Sequence, residues 1–358
     1  MGEYARSLAI AAGVSRHWRD AAIHFVLSRE APYAADVPFP ATLLASSPTF
    51  HSAAVIELIE TLRPEIVIFD NAGRTSQLRT AQRLGARVVY ISARARQRRK
   101  AFRYRWMRLI DEHWIAYPEF IAGGLQFTER LKLKVLGRPV VRFLDVVLSA
   151  GDPVRRDAVL SRAGCLAGSY VLVVPGGGTG HPGTGDAVGQ FIVAARSLAA
   201  RGVATVYVGP REEPAASTLS VIEPNWHPLG PVPQADLAEL MRGARLIIAN
   251  GGSTLLQAIA CGSACIGVPI AKDQAERTRR CVAAGVAVAA TLDAGSILQT
   301  AERLLQNDTE RTALARRAAD LGLADGVELA VRALDRLIGL PPARQIPPLQ
   351  PTPPAPHK

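Results

Sequence analysis

The feature that most constrains this chain is a short apolar run that turns on two glycines into an apolar helix. Residues 245–248 read Arg-Leu-Ile-Ile, a pattern typical of a strand buried on both faces of a parallel sheet. Gly251 and Gly252 follow, and from Leu255 the spacing is that of a helix ending at Gly262. This order places unpaired backbone N–H groups and a positive helix end at one point, which attracts phosphate. The alternative is an ordinary strand-to-helix turn, because short glycine motifs are weak evidence.

The same alternation of apolar strand and helix recurs along the chain. A second buried strand is predicted at residues 264–268, and Asp273 and Gln274 open the helix after it. In the first half, residues 66–70 read Ile-Val-Ile-Phe-Asp, residues 87–91 form the next strand, and residues 140–148 are predicted to form the last strand of this half. Repeated strand-helix-strand units predict parallel sheets with right-handed crossovers, whose ligands bind at the carboxyl ends of the strands.

Length and proline content predict two domains and a tail. At 358 residues, 48% of them hydrophobic, the chain is long enough for two domains, each with its own core. A break at Gly151 separates an N-terminal domain (residues 1–150) from a C-terminal domain (151–340), and the proline-rich residues 341–358 are expected to be extended or disordered. No strand precedes the helix that opens at Gly2. The first strand of the sheet is therefore either upstream of this sequence or lost, which would leave the sheet with a gap.

Composition and charge indicate the cellular compartment of the protein and the charge of its partners. No apolar run reaches the roughly 20 residues that span a bilayer and no signal peptide opens the chain, so we expect a cytoplasmic protein. Cys165, Cys261, Cys265 and Cys281 lack the spacing of a metal site and are expected to be small core residues in a reducing compartment. A net charge of +11 and a pI near 10.0 favour anionic partners.

One stretch concentrates basic and aromatic residues. Residues 94–108 hold eight arginines and lysines around Phe102, Tyr104, Trp106 and Met107. Such a stretch is typical of a surface for anionic lipid or for nucleic acid, and the third alternative is a solvated basic helix. Nucleic-acid binding rests on this stretch alone and is the weakest of the functional hypotheses.

A second glycine-rich loop follows the first strand of the C-terminal half. Residues 176–183 come directly after the apolar run 170–174, and neither this loop nor the Gly251 turn has a Walker or a dinucleotide-binding spacing. Two such loops on one sheet, with Asp273 and Gln274 beyond them, suit a ligand with a central diphosphate and a polyhydroxylated end. A nucleotide sugar has that shape.

Together these motifs resemble the donor half of GT-B glycosyltransferases, and within them the group of MurG and the UDP-glycosyltransferases. The motifs are the glycines 176–178, Gly-Pro-Val at 230–232, Asn-Gly-Gly-Ser-Thr at 250–254, and Pro269 followed by Asp273 and Gln274. The resemblance covers residues 165–300 well, and the first half only through residues 2–6 and Asp70. It implies an α/β fold of two Rossmann-like domains with parallel sheets facing across a cleft.

The resemblance also assigns roles in the C-terminal half. Gly252, Ser253 and Thr254 would hold the donor diphosphate, next to Gly251, and the other loop would approach it. Asp273 and Gln274 would take hydroxyls of the transferred sugar. The remaining donor-binding candidates are Gly176, Gly177, Gly178, Thr179, His181, Val232 against the base, and Gln257, where the family usually has a ribose-binding glutamate. Because an amide lacks the glutamate charge, Gln257 leaves the nucleotide preference open. His181 is equally well explained as an exposed loop residue.

Two carboxylates are candidates for the general base that takes a proton from the acceptor hydroxyl. Glu3 stands where family members commonly have histidine, and Asp70 ends its strand. Each has a structural alternative: Glu3 suits the first turn of a helix, and Asp70 opens the turn Asp-Asn-Ala-Gly. No Asp-X-Asp motif is present, so we expect a reaction that needs no metal ion.

The sequence therefore predicts a glycosyltransferase that uses a nucleotide-diphosphate sugar, UDP-linked by resemblance, as co-substrate and has no cofactor. The acceptor would be a glycan or a lipid-linked hydroxyl of the cell envelope, with the protein peripheral on the inner face of the plasma membrane. A nucleotide-sugar hydrolase on the same scaffold and a non-catalytic sugar-nucleotide-binding subunit are the alternatives.

Overall fold

The structure is a computed structural model, and it describes residues 2–31, 33–148, 151–176, 186–210 and 224–339. Strands and helices alternate along nearly all of this length. The predicted proline-rich tail, 341–358, lies outside the described residues. Among those that are described, no helix is both long and apolar enough to cross a membrane.

The elements of the first part of the chain are α1 (Gly2–His17), β1 (Phe25–Ser28), a 3-10 turn (Ala34–Asp36), β2 (Ala41–Leu44), α2 (Ser52–Leu62), β3 (Ile66–Asp70), α3 (Thr75–Arg83), β4 (Arg87–Ser92), α4 (Ala95–Ala101), α5 (Tyr104–Met107), β5 (Glu112–Ile115), α6 (Glu119–Ala122), α7 (Phe127–Leu136) and β6 (Val140–Phe143).

The second part contains α8 (Pro153–Ala163), β7 (Val171–Val174), α9 (Ala187–Ala200), β8 (Thr205–Tyr207), β9 (Trp226–Pro228), α10 (Gln234–Gly243), β10 (Leu246–Asn250), α11 (Ser253–Ala260), β11 (Cys265–Val268), α12 (Lys272–Ala283), β12 (Val288–Ala289), α13 (Ala294–Gln306), α14 (Asp308–Asp320) and α15 (Gly326–Ile338).

These elements form two compact units that are not continuous in sequence. Of the described residues, the N-terminal unit takes Val14–Ala116, Leu125–Phe143 and 330–339, and the C-terminal unit takes 2–13, Tyr117–Gly124 and those between Leu144 and Leu329. The boundary that the sequence predicts near residue 150 stays a prediction.

The C-terminal unit is built on a parallel sheet of six strands in the order β12-β11-β10-β7-β8-β9. Its central strands are buried on both faces, and successive side chains alternate between two cores. Leu172 lies in the core formed with helices α8, α10 and α11, whereas Val171 and Val173 lie in the core formed with α9 and α13. Helices therefore cover both faces, as the apolar runs predict.

Side-chain caps begin several of these helices. Asp152 accepts a hydrogen bond from the backbone N–H of Arg155 at the start of α8, with Pro153 in the first turn. Asp186 and Asp293 cap α9 and α13 in the same way. Each cap satisfies one N–H that the helix leaves without a partner, so these ends are set by local sequence.

The N-terminal unit contains two separate parallel sheets, β1-β2 and β3-β4-β5-β6. An ion pair between the buried Glu112 and the partly exposed Arg142 supports the second of them. The Glu112 carboxylate is 2% exposed; it accepts hydrogen bonds from Arg142 Nε at 2.8 Å and from Trp114 Nε1 at 2.6 Å. The guanidinium and the indole thus offset the cost of burying this charge.

The predicted last strand of this half, 140–148, is shorter than expected. Strand β6 ends at Phe143, and the following residues belong to the C-terminal unit, where Val146 forms a parallel bridge with Asp325. Leu144 and Val146 are apolar because they are buried there, 0% and 5% exposed, and not because they continue the sheet.

The four cysteines are unbridged; Cys165, Cys265 and Cys281 are buried and Cys261 is half-buried. Burial raises the pKa of the Cys261 thiol to about 11 and that of Cys281 to about 12. They act as small core residues, in agreement with the sequence analysis.

Candidate functional site

The order of strands in the C-terminal unit points to one edge of its sheet. Strand β7 lies between β8 and β10, and the chain proceeds outward from β7 on one side and from β10 on the other. In open parallel sheets, ligands bind at such a switch point, outside the carboxyl ends of the two strands. The loop that starts at Pro175 follows β7, and the turn at Gly251 follows β10.

Asn250 joins these two turns directly. At the end of β10, its Nδ2 donates a hydrogen bond to the carbonyl oxygen of Pro175, at 2.9 Å, and its Oδ1 accepts one from the backbone N–H of Gly252, at 3.1 Å. The side chain is 8% exposed. The two glycine-containing turns that the sequence singled out therefore meet at one side chain.

Two glycines at this point leave no room for a side chain. A Cβ on Gly176, whose φ is +99°, would lie 2.1 Å from Asn250 Nδ2. A Cβ on Gly251 would lie 2.4 Å from Thr278 Oγ1 and 2.9 Å from the carbonyl oxygen of Gln274. The glycines are thus required for close packing of the turns against β10 and α12.

Helix α11 begins at Ser253, directly after the Gly251-Gly252 turn. Its first N–H groups have no partner within the helix, and the positive end of its dipole lies at this point. Ser253 is exposed and Thr254 is half-buried, so the two hydroxyls border the same helix end. This arrangement can bind an anion.

A cation that sequence reasoning missed lies at the same turn. Arg277 Nη1 donates to the carbonyl oxygen of Gly251 at 2.8 Å, and its guanidinium carbon is 4.9 Å from the centre of the Tyr117 ring. The side chain is 10% exposed, and a longer contact of 3.5 Å joins it to Asp273. The usable sequence signal is the four-residue spacing from Asp273, which places both residues on one face of α12.

The polar candidates on α11 and α12 are engaged with the protein itself. Gln274 is 7% exposed, and its Oε1 accepts from the backbone N–H of Ile270 at 3.0 Å. Gln257 accepts from Gln234 Nε2 and donates to the carbonyl oxygen of Val147, both at 3.1 Å. Binding of a sugar by Gln274 and of a ribose by Gln257 stays a prediction. It requires each amide to replace these internal hydrogen bonds with hydrogen bonds to the ligand.

The other candidates of this half are placed as follows. The Asp273 side chain is 75% exposed on the first turn of α12, one helical turn before Arg277. Val232 is half-buried and packs against the core cluster that contains Leu172. Gly177, Gly178, Thr179 and His181 lie outside the described residues.

The two candidate bases fall in different units. Glu3 is exposed in the first turn of α1, in the C-terminal unit. Asp70 ends β3 in the N-terminal unit, where a turn follows it: Asn71 has φ +53° and accepts from the Ala93 N–H at 2.7 Å, and Gly73 has φ +96°. The turn is therefore present, and the catalytic role of either carboxylate stays a prediction.

The basic stretch 94–108 forms α4 and α5, and its aromatic residues are mostly internal. Phe102, Trp106 and Met107 are 2%, 3% and 0% exposed, so they cannot lie on a membrane or stack on bases; Tyr104, at 51%, is the exception among the four. Packing against the sheet explains why apolar residues interrupt the arginines. The exposed arginines of this stretch are Arg94, Arg96, Arg99, Arg103, Arg105 and Arg108.

No family model and no curated protein sequence matches the chain. Solved structures do match. UGT2 of Phytolacca americana, complexed with UDP-2-fluoro-glucose and pterostilbene, superposes with a TM-score of 0.66 at 14% identity, over 92% of this chain and 96% of that one. The spinosyn forosaminyltransferase SpnP gives 0.63 at 13% identity, over 94% and 96%.

A further match is to a protein named for a different activity. A structure described as a UDP-N-acetylglucosamine 2-epimerase from Listeria monocytogenes gives a TM-score of 0.59 at 14% identity, over 94% of this chain and 93% of that one. At such identities the comparison establishes the fold and not the reaction. It confirms the fold class that the sequence predicts: the chain has the two-domain α/β fold of the GT-B glycosyltransferases.

Proposed function

We propose that this protein transfers a sugar from a nucleoside-diphosphate sugar, UDP-linked, to an acceptor hydroxyl. The observation that carries the proposal is the Asn250 side chain, which holds the turns after β7 and β10 together at the switch point of the sheet. UGT2, whose structure contains UDP-2-fluoro-glucose, and the forosaminyltransferase SpnP share the fold and support it.

The leaving group would be stabilised by the protein alone. In glycosyl transfer the bond from the sugar carbon to the diphosphate oxygen breaks while the acceptor oxygen bonds to that carbon and gives its proton to a base. Negative charge therefore develops on the diphosphate. The N–H groups at the start of α11 and the Arg277 guanidinium lie at the Gly251 turn, where they can offset that charge. We therefore propose a reaction without a metal ion.

The direct test is calorimetry on the purified chain with UDP, GDP and dTDP, with and without EDTA. We expect one of them, UDP first, to bind with a Kd in the micromolar range, unchanged by EDTA. Failure of all three to bind at millimolar concentration would contradict the proposal. Binding that EDTA abolishes would contradict metal independence alone.

A second measurement separates transfer from the alternatives. The chain is incubated with the nucleotide sugar that binds, first alone and then with candidate acceptors. Transfer predicts nucleoside-diphosphate release that rises with acceptor. Rapid release without acceptor identifies a hydrolase, an isomerised sugar nucleotide identifies an epimerase, and binding without any turnover identifies a binding subunit.

For the acceptor side we propose a lipid-linked glycan reached at an anionic membrane. Helix α7 carries Phe127, Leu131 and Val135 four residues apart, and they are 79%, 50% and 68% exposed. Lys132 connects α7 to α5, because its Nζ lies 5.6 Å from the Tyr104 ring centre. An exposed apolar stripe beside exposed arginines is the pattern of a helix that lies in a lipid interface.

Vesicle sedimentation tests this second part. We expect vesicles with phosphatidylglycerol to bind the chain more strongly than phosphatidylcholine vesicles, with binding that falls as salt rises. Leu131→Asp should reduce binding at least fivefold. Val154→Asp, at an 80% exposed valine on α8 of the other unit, is the matched control and should have no effect. Equal binding to both vesicles, or equal loss in both variants, would contradict the membrane proposal.

A further inference from the structure

The turns that follow β3 and β4 lie side by side at one edge of the larger sheet of the N-terminal unit. The two strands are parallel neighbours, with Asp70 opposite Ile91. Asn71, in the first turn, accepts a hydrogen bond from the backbone N–H of Ala93, in the second, at 2.7 Å. Ligands of parallel α/β sheets bind outside the carboxyl ends of the strands, so the side chains at these two turns can form a site.

Lys100 reaches the first of these turns from helix α4. Its Nζ donates a hydrogen bond to the carbonyl oxygen of Gly73 at 3.0 Å and lies 4.0 Å from the centre of the Trp106 ring. The side chain is half-buried. The carbonyl and the ring hold the ammonium in place, but neither carries a full negative charge that would balance it.

Arg74, the residue after Gly73, is held in the same way. Its Nε donates to the carbonyl oxygen of Thr49 at 3.0 Å, and its guanidinium carbon lies 6.0 Å from the centre of the Phe50 ring. Within the part of the chain that the structure describes, neither Arg74 nor Lys100 forms an ion pair with a carboxylate. Both cations are therefore fixed in position while their charges stay unbalanced.

Several other cations of this unit do have carboxylate partners. The pairs are Arg98–Glu129, Arg138–Asp111 and Arg142–Glu112, at 2.6, 2.9 and 2.8 Å. Lys100 and Arg74 differ from them, and they do so at the edge of the sheet that a ligand can reach. The position of the counter-ion is therefore left to a ligand.

Two exposed arginines add positive charge around Lys100. Arg96 precedes it by one turn of α4, and the backbone N–H of Arg103 donates to the Lys100 carbonyl oxygen at 3.2 Å. Burial, and then the charges of Arg74, Arg103 and Arg96, lower the pKa of the Lys100 ammonium. The four cations repel one another, and an anion bound among them would relieve that repulsion.

We propose that Lys100 and Arg74 hold a phosphate group of a phosphorylated ligand at the carboxyl ends of β3 and β4. Phosphate suits several cations better than a carboxylate does, because it can carry two negative charges and offers three acceptor oxygens. Helix α3, which begins at Thr75, directs its positive end to the same turn. This second anion site lies in the N-terminal unit and does not depend on the proposed sugar transfer.

Calorimetry with inorganic pyrophosphate tests the site, because this probe carries phosphate groups without a lipid or a nucleoside. The full chain carries Arg277→Met throughout, so that the proposed donor site contributes little. We expect saturable binding with a submillimolar Kd that rises with salt. Lys100→Gln, whose amide can still donate to the Gly73 carbonyl, should raise the Kd at least tenfold, and Arg74→Met at least fivefold. Lys100→Arg keeps the charge and should change the Kd less than threefold.

Lys132→Gln is the matched control. Lys132 is also held by neutral groups, since its Nζ donates to the carbonyl oxygen of Phe102 at 3.1 Å and lies 5.6 Å from the centre of the Tyr104 ring. The substitution removes the same charge from the same unit and should change the Kd less than twofold. Equal losses in Lys100→Gln and Lys132→Gln would overturn the proposal, because they would show diffuse attraction to a basic surface.

Absence of saturable pyrophosphate binding at millimolar concentration would also overturn the proposal. The unfolding temperature of each variant is measured alongside. If Lys100→Gln does not fold, Arg74→Met decides by the same comparison with Lys132→Gln, and an unchanged Kd in Arg74→Met then overturns the site.

Sedimentation with phosphatidylglycerol vesicles identifies the source of the phosphate. If the ligand is a phospholipid headgroup, Lys100→Gln should lower vesicle binding at least fivefold, and pyrophosphate should compete with the vesicles. If the ligand is a soluble phosphorylated molecule, Lys100→Gln should lose pyrophosphate binding and keep vesicle binding. Either result, together with the loss of pyrophosphate binding, supports the site.

Discussion

Asn250 donates a hydrogen bond from its Nδ2 to the carbonyl oxygen of Pro175 across 2.9 Å, although 75 residues separate them in sequence. The same amide accepts from the N–H of Gly252. One side chain therefore sets the distance between the two turns on which the proposed donor site depends, and its removal should affect ligand binding before it affects the fold.

Asn250→Asp should weaken binding of UDP at least tenfold, about 1.4 kcal/mol. The carboxylate can still accept from Gly252 but cannot donate to Pro175, and it brings negative charge to the proposed diphosphate position. Asn225→Ala is the control, since it removes a similar amide-to-carbonyl bond, 3.3 Å to Ala199, elsewhere in the same unit. Calorimetry with UDP checks both. An unchanged Kd in Asn250→Asp would show that the two turns bind no diphosphate.

Gly251→Ala should lower the free energy of unfolding by about 1–3 kcal/mol, because a Cβ there overlaps Thr278 Oγ1 and the Gln274 carbonyl oxygen. Adding Thr278→Ala should restore part of the loss, since it removes only the first of these contacts. Gly151→Ala, where the nearest atom is Arg242 Nε at 3.8 Å, is the control. Urea unfolding measures all of them, and an unaffected Gly251→Ala would mean that the turn relaxes freely.

Arg277→Met should weaken UDP binding at least tenfold and uridine binding less than twofold, because the guanidinium is expected to act on the diphosphate and not on the base. The UDP affinity of Arg277→Lys should lie between those of the unsubstituted chain and Arg277→Met, because lysine keeps the positive charge but lacks the two-pronged donor geometry of the guanidinium. Arg279→Met on the same helix, with a 68% exposed side chain, should bind UDP normally. Equal losses for UDP and uridine would assign Arg277 to folding of the turn instead.

Glu3→Gln and Asp70→Asn distinguish the two candidate bases. The variant that loses the base should show a kcat lowered by about 10²–10⁴, with donor Kd unchanged, because a general base contributes about that factor. If Asp70 serves only the turn at Asn71 and Gly73, its variant should lower the unfolding temperature and leave kcat intact. The prediction of a carboxylate base is wrong if both variants keep kcat within twofold.

His113 should make stability depend on pH. Burial, and then the nearby Arg98 charge, lower the pKa of this histidine to about 3 from 6.5, and the ring is 0% exposed with Nε2 at 2.8 Å from Ser92 Oγ. Below pH 6.5 the unfolded chain binds a proton that the folded chain does not, so stability falls as pH falls from 6.5 toward 3.

The expected loss is about 1.4 kcal/mol per pH unit, or about 2 kcal/mol between pH 6.5 and 5.0. Urea unfolding at these two values measures it. His113→Phe should lose about 2 kcal/mol less than the unsubstituted chain over this interval, whereas His17→Asn, at an exposed histidine, should match the unsubstituted chain. Identical pH dependence in the His113 variant would contradict the assignment.

The fold class could be read from local pattern. Buried strands such as β10 are runs of mainly apolar residues that do not alternate with polar ones, and glycines mark the turns into the helices. Short sequence segments are therefore enough to predict the order of strands and helices. The sequence predicts a strand through residue 148, although it ends at Phe143, because apolar residues look alike whether a sheet or a neighbouring core buries them. The sequence predicts Phe102 and Trp106 at a surface for the converse reason: arginines surround them in sequence, but both side chains are buried in the folded unit.

The sequence by itself determined the parallel α/β architecture and the two glycine turns, because backbone geometry at a strand end depends on residues next to one another. Only the tertiary structure decided that Asn250 joins those turns and that Arg277 lies at the Gly251 carbonyl. Both findings are contacts between residues that lie apart in the chain. The order of the strands in the sheet brings such residues together, and no local sequence pattern predicts that order.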